Sequence, residues 1–161
     1  MTPDTNVIAA VTDAHLETVR FLFKEYAESI GIDLCFQAFE EELQQLPGDY
    51  APPRGALLIA VVKGQFAGCC ALRPLDSVDY ANASEMKRLY VRPTFRGMGI
   101  GRLLAEAILD RARLADYTSI LLDTLDDMES ARALYEELGF EEIPPYYFNP
   151  IAGAHYLKAN L

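Results

Sequence analysis

The stretch RPTFRGMGIGRLLAEA, residues Arg92–Ala107, sets Gly97, Gly99 and Gly101 at alternate positions between Arg96 and Arg102. An apolar, strand-like run (RLYV, Arg88–Val91) precedes it and a helix-like run follows. A helix that starts there begins with unpaired backbone N–H groups and a partial positive charge. Glycines without a Cβ let several of those N–H groups turn toward one point, which is a cradle for a phosphate. The same glycines suit a plain tight turn between strand and helix, and both readings fit the residues. Two familiar phosphate loops do not. A Walker loop needs Gly-Lys-Ser/Thr at its end, whereas Gly101 is followed by Arg102-Leu103. A dinucleotide fingerprint begun at Gly97 would need glycine at Arg102, and one begun at Gly99 would need it at Leu104.

The strand before the loop carries a second signal. In EMKRLYV, Met86, Leu89 and Val91 are all apolar, yet 86 and 89 have opposite strand parity. One inserted residue near Lys87-Arg88 restores a single buried face, and such an insertion is a β-bulge. A bulge splays neighbouring strands and leaves backbone groups free to pair with an amide-bearing ligand. Chance irregularity in the pattern is the alternative.

Working outward, NVIAAV (Asn6–Val11) reads as a first strand, followed by a helix that Thr12 or Asp13 caps, with Asp13 favoured for its carboxylate. Leu16, Val19, Phe23, Tyr26, Ala27 and Ile30 recur at helical spacing, and Gly31 ends the run. A weaker helix spans Leu34 to Leu46 and stops at Pro47-Gly48. GALLIAVVKGQFAGCCALRPL is a hairpin turning at Lys63-Gly64-Gln65. A strand from Ser84 to Arg92, a helix from Gly99 to Ala115 and the strand SILLDTL follow. Asp126 and Glu129 have capping-box spacing for a last helix ending at Leu138-Gly139, and two extended pieces close the chain. The order βααβββαβαββ predicts a parallel crossover around the glycine loop and an antiparallel hairpin before it. The fold expected is a three-layer α/β/α mixed sheet, one domain over residues 1–161.

Composition narrows the function. With 51% hydrophobic and 24% charged residues the chain reads as a globular protein, and no apolar run is long enough for a membrane span. The N-terminal residues lack the basic segment and apolar core of a signal peptide, so the reading is cytoplasmic. A formal charge of −10 repels phosphate backbones and argues against nucleic acid. Cys35, Cys69 and Cys70 offer no disulfide framework and no Cys-x-x-Cys. His15 and His155 stand far apart with no ligand pattern around them, so no metal is expected.

Arg96-Gly97-Met98-Gly99-Ile100-Gly101 fits the (Gln/Arg)-x-x-Gly-x-(Gly/Ala) signature of the GNAT superfamily of acyl-CoA-dependent N-acyltransferases. EMKRLYVRPTFRG before it and ARALYEELGF after it resemble the same family in order and spacing, so that the resemblance covers Ser84 to Phe140. It implies a sheet opening into a V beside the bulged strand, with acetyl-CoA in the gap. The backbone of Leu89, Tyr90 and Val91 would pair with the pantetheine amides. The N–H groups of Arg96, Gly97, Met98, Gly99, Ile100 and Gly101, with Arg102 beside them, would hold the pyrophosphate. Many members carry an asparagine at the start of the last helix. This chain has Met128 there, so that contact is lost or replaced by apolar packing.

Acyl transfer to an amine needs a neutral nitrogen and a proton for the departing thiolate. By its spacing from the glycine loop, Glu85 matches the catalytic glutamate of several members, against the alternative of an exposed strand-end carboxylate. Tyr135, in ALYEELGF, matches the family tyrosine that protonates the thiolate, against that of a core tyrosine. On the acceptor side, Phe36, Phe39, Tyr50, Arg73 and PPYYFNP with Tyr146 and Tyr147 either line a site for a cation or ring or cap the sheet. The expected activity is transfer of an acetyl group to a primary amine of a small molecule, amino acid or peptide. A non-catalytic acyl-CoA-binding module on the same fold is the alternative, and it would need neither Glu85 nor Tyr135. An unpaired sheet edge points to a homodimer.

Overall fold

The computed structural model describes residues 4–31, 38–125 and 129–161, without the side chains of 129 and 130. Strand β1 (Thr5–Ala9) leads into helix α1 (Asp13–Ile30), whose N-cap is Thr12 rather than the favoured Asp13. The Thr12 hydroxyl accepts from the His15 N–H at 3.1 Å, and Asp13 falls in the first turn, where its charge meets the helix dipole. Gly31, left-handed at φ 65°, ends the helix as expected. Helix α2 is described over Phe39–Gln45, while the expected start at Leu34 lies outside the described residues. Lys63 and Gly64, with φ 49° and 78°, make the two-residue turn between β2 (Ala56–Val62) and β3 (Gln65–Pro74), both in the positive-φ region that such a turn requires.

Strand β4 (Ala83–Val91) runs antiparallel to β3 and then, through helix α3 (Ile100–Leu114), crosses to β5 (Ser119–Leu125) in parallel. Helix α4 (Glu129–Glu137) follows, and the expected cap at Asp126 lies outside the described residues. Strands β6 (Glu141–Ile143) and β7 (Ala154–Asn160) complete one seven-stranded sheet of order β1-β2-β3-β4-β5-β7-β6. The element order matches the expectation throughout.

Strand alternation sends side chains to two cores. Leu57, Ile59, Cys69, Ala71 and Tyr90 pack against Val19, Leu22 and Phe23 of α1 and Phe39 and Leu43 of α2. Leu58, Ala60, Cys70, Leu72 and Met86 pack against Leu104, Ile108 and Ala112 of α3 and Tyr135 of α4. The sheet is therefore the middle of three layers.

The expected bulge is present. Cys69 pairs with Tyr90 and Ala71 with Lys87, so β4 spends one residue more than β3 on that interval. Arg88 takes the left-handed conformation, φ 60°, that absorbs it. Met86, Leu89 and Val91 thereby reach one face in spite of their parity. The Cys69 thiol donates to the Arg88 carbonyl at 3.4 Å and the Cys70 thiol to the Lys87 carbonyl at 3.9 Å, so two oxygens at the irregularity have weak partners. Burial pushes both thiols up, which keeps them protonated donors rather than nucleophiles.

Above the bulge, β3 approaches β4 so closely that a Cβ on Gly68 would sit 2.3 Å from the Tyr90 carbonyl oxygen. Gly68→Ala is expected to lower folding stability by about 1–3 kcal/mol, as overpacking of a backbone contact does. Urea denaturation followed by circular dichroism measures it, and a midpoint equal to wild type would show that the close approach is not made in solution.

Candidate active site

Strands β4 and β5 pair only through Ala83–Ser119, Ser84–Ile120 and Glu85–Leu121. The β4–β5 ladder ends there although both strands go on, to Val91 and Leu125, and this leaves a V whose vertex is Glu85. Leu89 also lies outside the ladder to β3. The left arm of the V thus offers strand backbone that an extended ligand can pair with.

The glycine loop stands at the open end of that arm. Gly97 and Gly99 have φ 82° and 77°, and a Cβ on either would meet nothing within 4 Å. Gly99 is the N-cap of α3 and supplies no side chain to the helix end. The first intrahelical bond runs from the Leu103 N–H to the Gly99 carbonyl, 3.1 Å, which leaves the N–H groups of Ile100, Gly101 and Arg102 without helical acceptors. Open space, uncapped donors and the dipole make this end fit an anionic phosphate group.

The flanking residues divide between the loop and its support. The Arg96 N–H is committed to the Pro93 carbonyl at 3.3 Å and its Nε to the Val91 carbonyl at 3.0 Å, so Arg96 braces the loop against the end of β4. Met98 is exposed, while Ile100 is buried in the core below α3. Arg102 is paired with Glu137 of α4 and, at 3.6 Å, with Glu106. Leu89 and Val91 are half-buried against the same core. Tyr90 points to the opposite face, where its hydroxyl donates to Glu25 of α1 at 2.7 Å beside Arg92, whose Nε reaches the same oxygen at 2.9 Å. Met128 and Phe36 lie outside the described residues.

Glu85 is 1% exposed, and both its oxygens are held. Arg73 of β3 donates to Oε1 from Nε and from Nη2, each at 2.7 Å, and the Tyr146 hydroxyl donates to Oε2 at 2.7 Å. Burial by itself would raise the carboxyl pKa, but the Lys87 and Arg73 cations and these hydrogen bonds outweigh it and hold it below its ordinary value. Glu85 is a buried carboxylate, not a solvated strand end. Lys87, two residues on, is 8% exposed, and burial pushes its pKa down against the pull of Glu85 and of Asp123 on β5.

Tyr135 lies in α4, 6% exposed, with its ring 5.6 Å from that of Phe140. Burial pushes its phenol up, with smaller effects from Cys70, Tyr26 and Asp123. Tyr26 belongs to α1, in the opposite layer.

The acceptor-side residues flank Glu85 on both sides. Arg73 lines a cavity of about 190 Å³ together with Glu41, Glu42, Gln45, Asp49 and Tyr50. Tyr146 and Tyr147 line a second, of about 610 Å³, with Phe148, Asn149, Ile151 and Tyr156. The Tyr147 hydroxyl donates to Asp123 at 2.7 Å and the Asn149 amide to the same oxygen at 3.2 Å. The rings of Tyr146, Tyr147 and Tyr156 pack mutually with centroids 5.4–5.6 Å apart. Phe39 packs instead under the Arg88 guanidinium, 5.3 Å from its ring centroid.

Sequence reasoning passed over Glu42, Lys87 and Asp123. A signal for the last two was present, since each is a charge inside an otherwise apolar strand, as Glu85 is. Glu42 gave none, because its partner Arg88 is 46 residues away and their fork, at 3.1 and 3.0 Å, exists only in the folded chain. Among the described residues no three His, Cys, Asp or Glu side chains converge as a metal site requires, and no helix is long and apolar enough to cross a membrane.

Known proteins share this fold. The family model of the GNAT acetyltransferases matches residues 16–140. An uncharacterized N-acetyltransferase of Schizosaccharomyces pombe is 37% identical over 163 residues, covering 100% of this chain and 98% of the relative. A crystal structure of an acetyltransferase from Streptococcus agalactiae superposes with a TM-score of 0.80 at 22% identity, covering 99% and 100% of the two chains. A putative acetyltransferase from Salmonella typhimurium, solved with its cofactor acetyl-CoA, superposes with a TM-score of 0.69 at 17% identity, covering 98% and 94%. With the family model matching most of its length and a relative aligned end to end, the chain belongs to the GNAT acetyltransferase family and is an N-acetyltransferase.

Proposed function

We propose that the 161 residues act as one catalytic domain that moves an acetyl group from acetyl-CoA to the primary amine of a small molecule, amino acid or peptide, directly and without an acyl-enzyme. The observation that carries this is the V itself. A β4–β5 ladder that ends at Glu85, an uncapped helix N-terminus and a buried carboxylate at the vertex stand along one cleft. GNAT enzymes use acetyl-CoA, and the residues here fit it: Gly97 and Gly99 are open to a pyrophosphate, and Leu89 with its neighbours is open to the amides of an extended arm. When bound, the thioester supplies an activated acetyl group. Everything else is supplied by the chain.

The N–H groups of Ile100, Gly101 and Arg102, with the loop at Gly97 to Gly99, hold the phosphate charge at the positive end of α3. Glu85 is the ultimate acceptor of the proton that the amine nitrogen loses, and its low pKa keeps it ionised and ready at neutral pH. Tyr135 gives a proton to the departing sulfur. Burial keeps its hydroxyl protonated at neutral pH, so a proton is present to give. The carboxylates of Glu41 and Asp49 in the cavity beside Arg73 support an acceptor that arrives as a cation.

Titration calorimetry with acetyl-CoA, followed by thiol-release assays over a panel of amines, tests the reading. Binding without release from any amine would leave only a binding module, and no binding at millimolar ligand would overturn the whole assignment. Gly99→Val is expected to weaken acetyl-CoA binding at least tenfold, because a β-branched residue at φ 77° distorts the helix start. An unchanged Kd would move the phosphate site elsewhere. Tyr135→Phe is expected to lower kcat by about 10²-fold, the usual contribution of a positioned proton donor, with acetyl-CoA affinity within about twofold of wild type. Unchanged turnover would remove Tyr135 from the chemistry.

A further inference from the structure

Both oxygens of the Glu85 carboxylate are occupied, and they are occupied by different kinds of group. Oε1 is held by the two-pronged guanidinium of Arg73, a cation that neither accepts nor releases a proton at ordinary pH. Oε2 accepts from the Tyr146 hydroxyl at 2.7 Å, a group that can do both. Tyr146 also lines the cavity of about 610 Å³ beside the cleft, whereas Glu85 itself is 1% exposed. Among the described residues, the hydrogen-bonded link from that cavity to Oε2 is this phenol.

We infer that Tyr146 is a catalytic relay: the proton released by the acceptor nitrogen passes to the Tyr146 oxygen as the phenolic proton passes to Oε2 of Glu85. The inference rests on the proposed acetyl transfer and adds the route by which its proton leaves.

The geometry is already that of the resting relay. The phenolic hydrogen points at the carboxylate, so the oxygen lone pairs remain for an N–H of the acceptor. Two aromatic neighbours hold the ring. It packs on Tyr147 and Tyr156 with centroids 5.5 and 5.4 Å away, and Tyr147 is itself tied to Asp123 of β5 at 2.7 Å. Tyr146 is thus anchored to both arms of the V, to β4 through Glu85 and to β5 through the Tyr147–Asp123 bond.

The charges facing this pair are Arg73 from β3, Lys87 from β4 and Asp123 from β5, with the Tyr147 phenol beside them. Burial and the Glu85 carboxylate push the Tyr146 phenol up, so it rests as a neutral donor against an ionised acceptor.

The step balances. The acceptor first loses its ammonium proton to solvent; the neutral amine then forms a nitrogen–carbon bond to the acetyl carbonyl, and its nitrogen becomes far more acidic than an ammonium. That proton goes to the Tyr146 oxygen while the tyrosine's own proton goes to Glu85. The carbon–sulfur bond then breaks and the thiolate takes a proton from Tyr135. One proton leaves nitrogen and one reaches sulfur, and the solvent later takes one from Glu85 and returns one to Tyr135. This order suits a carboxylate of low pKa, which is a poor base toward a free ammonium and an adequate one toward an acylated nitrogen.

Two measurements test the relay. Without donor or acceptor, carbon NMR of glutamate-labelled protein follows the Glu85 carboxyl through acid titration. In Tyr146→Phe its midpoint is expected to move upward, because the bond to the ionised form is gone. No movement would mean the contact is not made in solution and would overturn the relay. In turnover, Tyr146→Phe and Glu85→Gln are each expected to lower kcat by about 10–100-fold, with acetyl-CoA affinity unchanged. Their combination should be no slower than the slower single variant, since one path is cut twice. Turnover of Tyr146→Phe within twofold of wild type, or multiplicative losses in the double variant, would overturn it. If Tyr146→Phe does not fold, Glu85→Gln carries the turnover test, because its amide can accept the phenolic hydrogen bond but not the proton, and full activity there overturns the relay. A wild-type enzyme that releases thiol with no amine overturns the proposed function and the relay with it, and the donor-free titration shows which contact was nonetheless present.

Discussion

Arg88, one residue in the left-handed region of the central strand, is the constraint on which the remainder of the cleft depends. A non-glycine residue at φ 60° is disfavoured by about 1–2 kcal/mol. Its side chain supplies compensation. The guanidinium forks onto Glu42 at 3.1 and 3.0 Å and lies over the Phe39 ring, with the arginine 3% and the glutamate 13% exposed. Charge-assisted, bidentate pairs of this kind are among the stronger hydrogen bonds a protein makes. A buried pair is costly to break, because removing one partner strands the other, by about 3–5 kcal/mol. The same contact therefore holds the bulge open and fastens α2 to the sheet, so that the strand distortion and the cavity beside Arg73 are set together.

The second organising feature is charge balance in a dry place. Arg73, Glu85, Lys87, Arg88, Glu42 and Asp123 bring three cations and three anions to the neighbourhood of the V. Isolated charges would not survive such burial, whereas paired and hydrogen-bonded ones do. Balance also explains the directions of the shifts at the vertex. Glu85 stays ionised although buried, because two cations and a phenol favour its charged form. Lys87 is pushed down because burial and neighbouring arginines outweigh two carboxylates. The site is fixed in its charge pattern before any ligand arrives, which is the condition under which fixed dipoles and charges act on a reaction without reorganising.

Much of this could be read from the chain alone, and for local reasons. Glycines at Gly97 and Gly99 announce a helix start with no side-chain cap because nothing else tolerates those dihedrals so cheaply. The slipped parity of Met86 and Leu89 announces the bulge because strand faces alternate strictly. The helix cap was misjudged between two adjacent candidates. Thr12 and Asp13 both suit the position, and the backbone chose the residue whose extended conformation lets its hydroxyl reach the His15 N–H. Glu85 was legible as a position and not as an environment. Its burial comes from Arg73, twelve residues before it and directly opposite on the neighbouring hairpin strand, and from Tyr146, 61 residues beyond.

By itself the sequence determined the order of elements, the βα junction with its open glycines, the inserted residue in the central strand and, through a motif spread over Ser84 to Phe140, the family. These are encoded in spacing, which survives in one dimension. Only the tertiary structure decided which charges meet: that Glu42 answers Arg88, that Asp123 and Glu85 hold opposite ends of one tyrosine loop, and that Glu85 has one oxygen on a guanidinium and the other on a phenol. Hydrogen bonds act over about 3 Å, and no pattern along a chain reports which distant residues folding will bring within that distance.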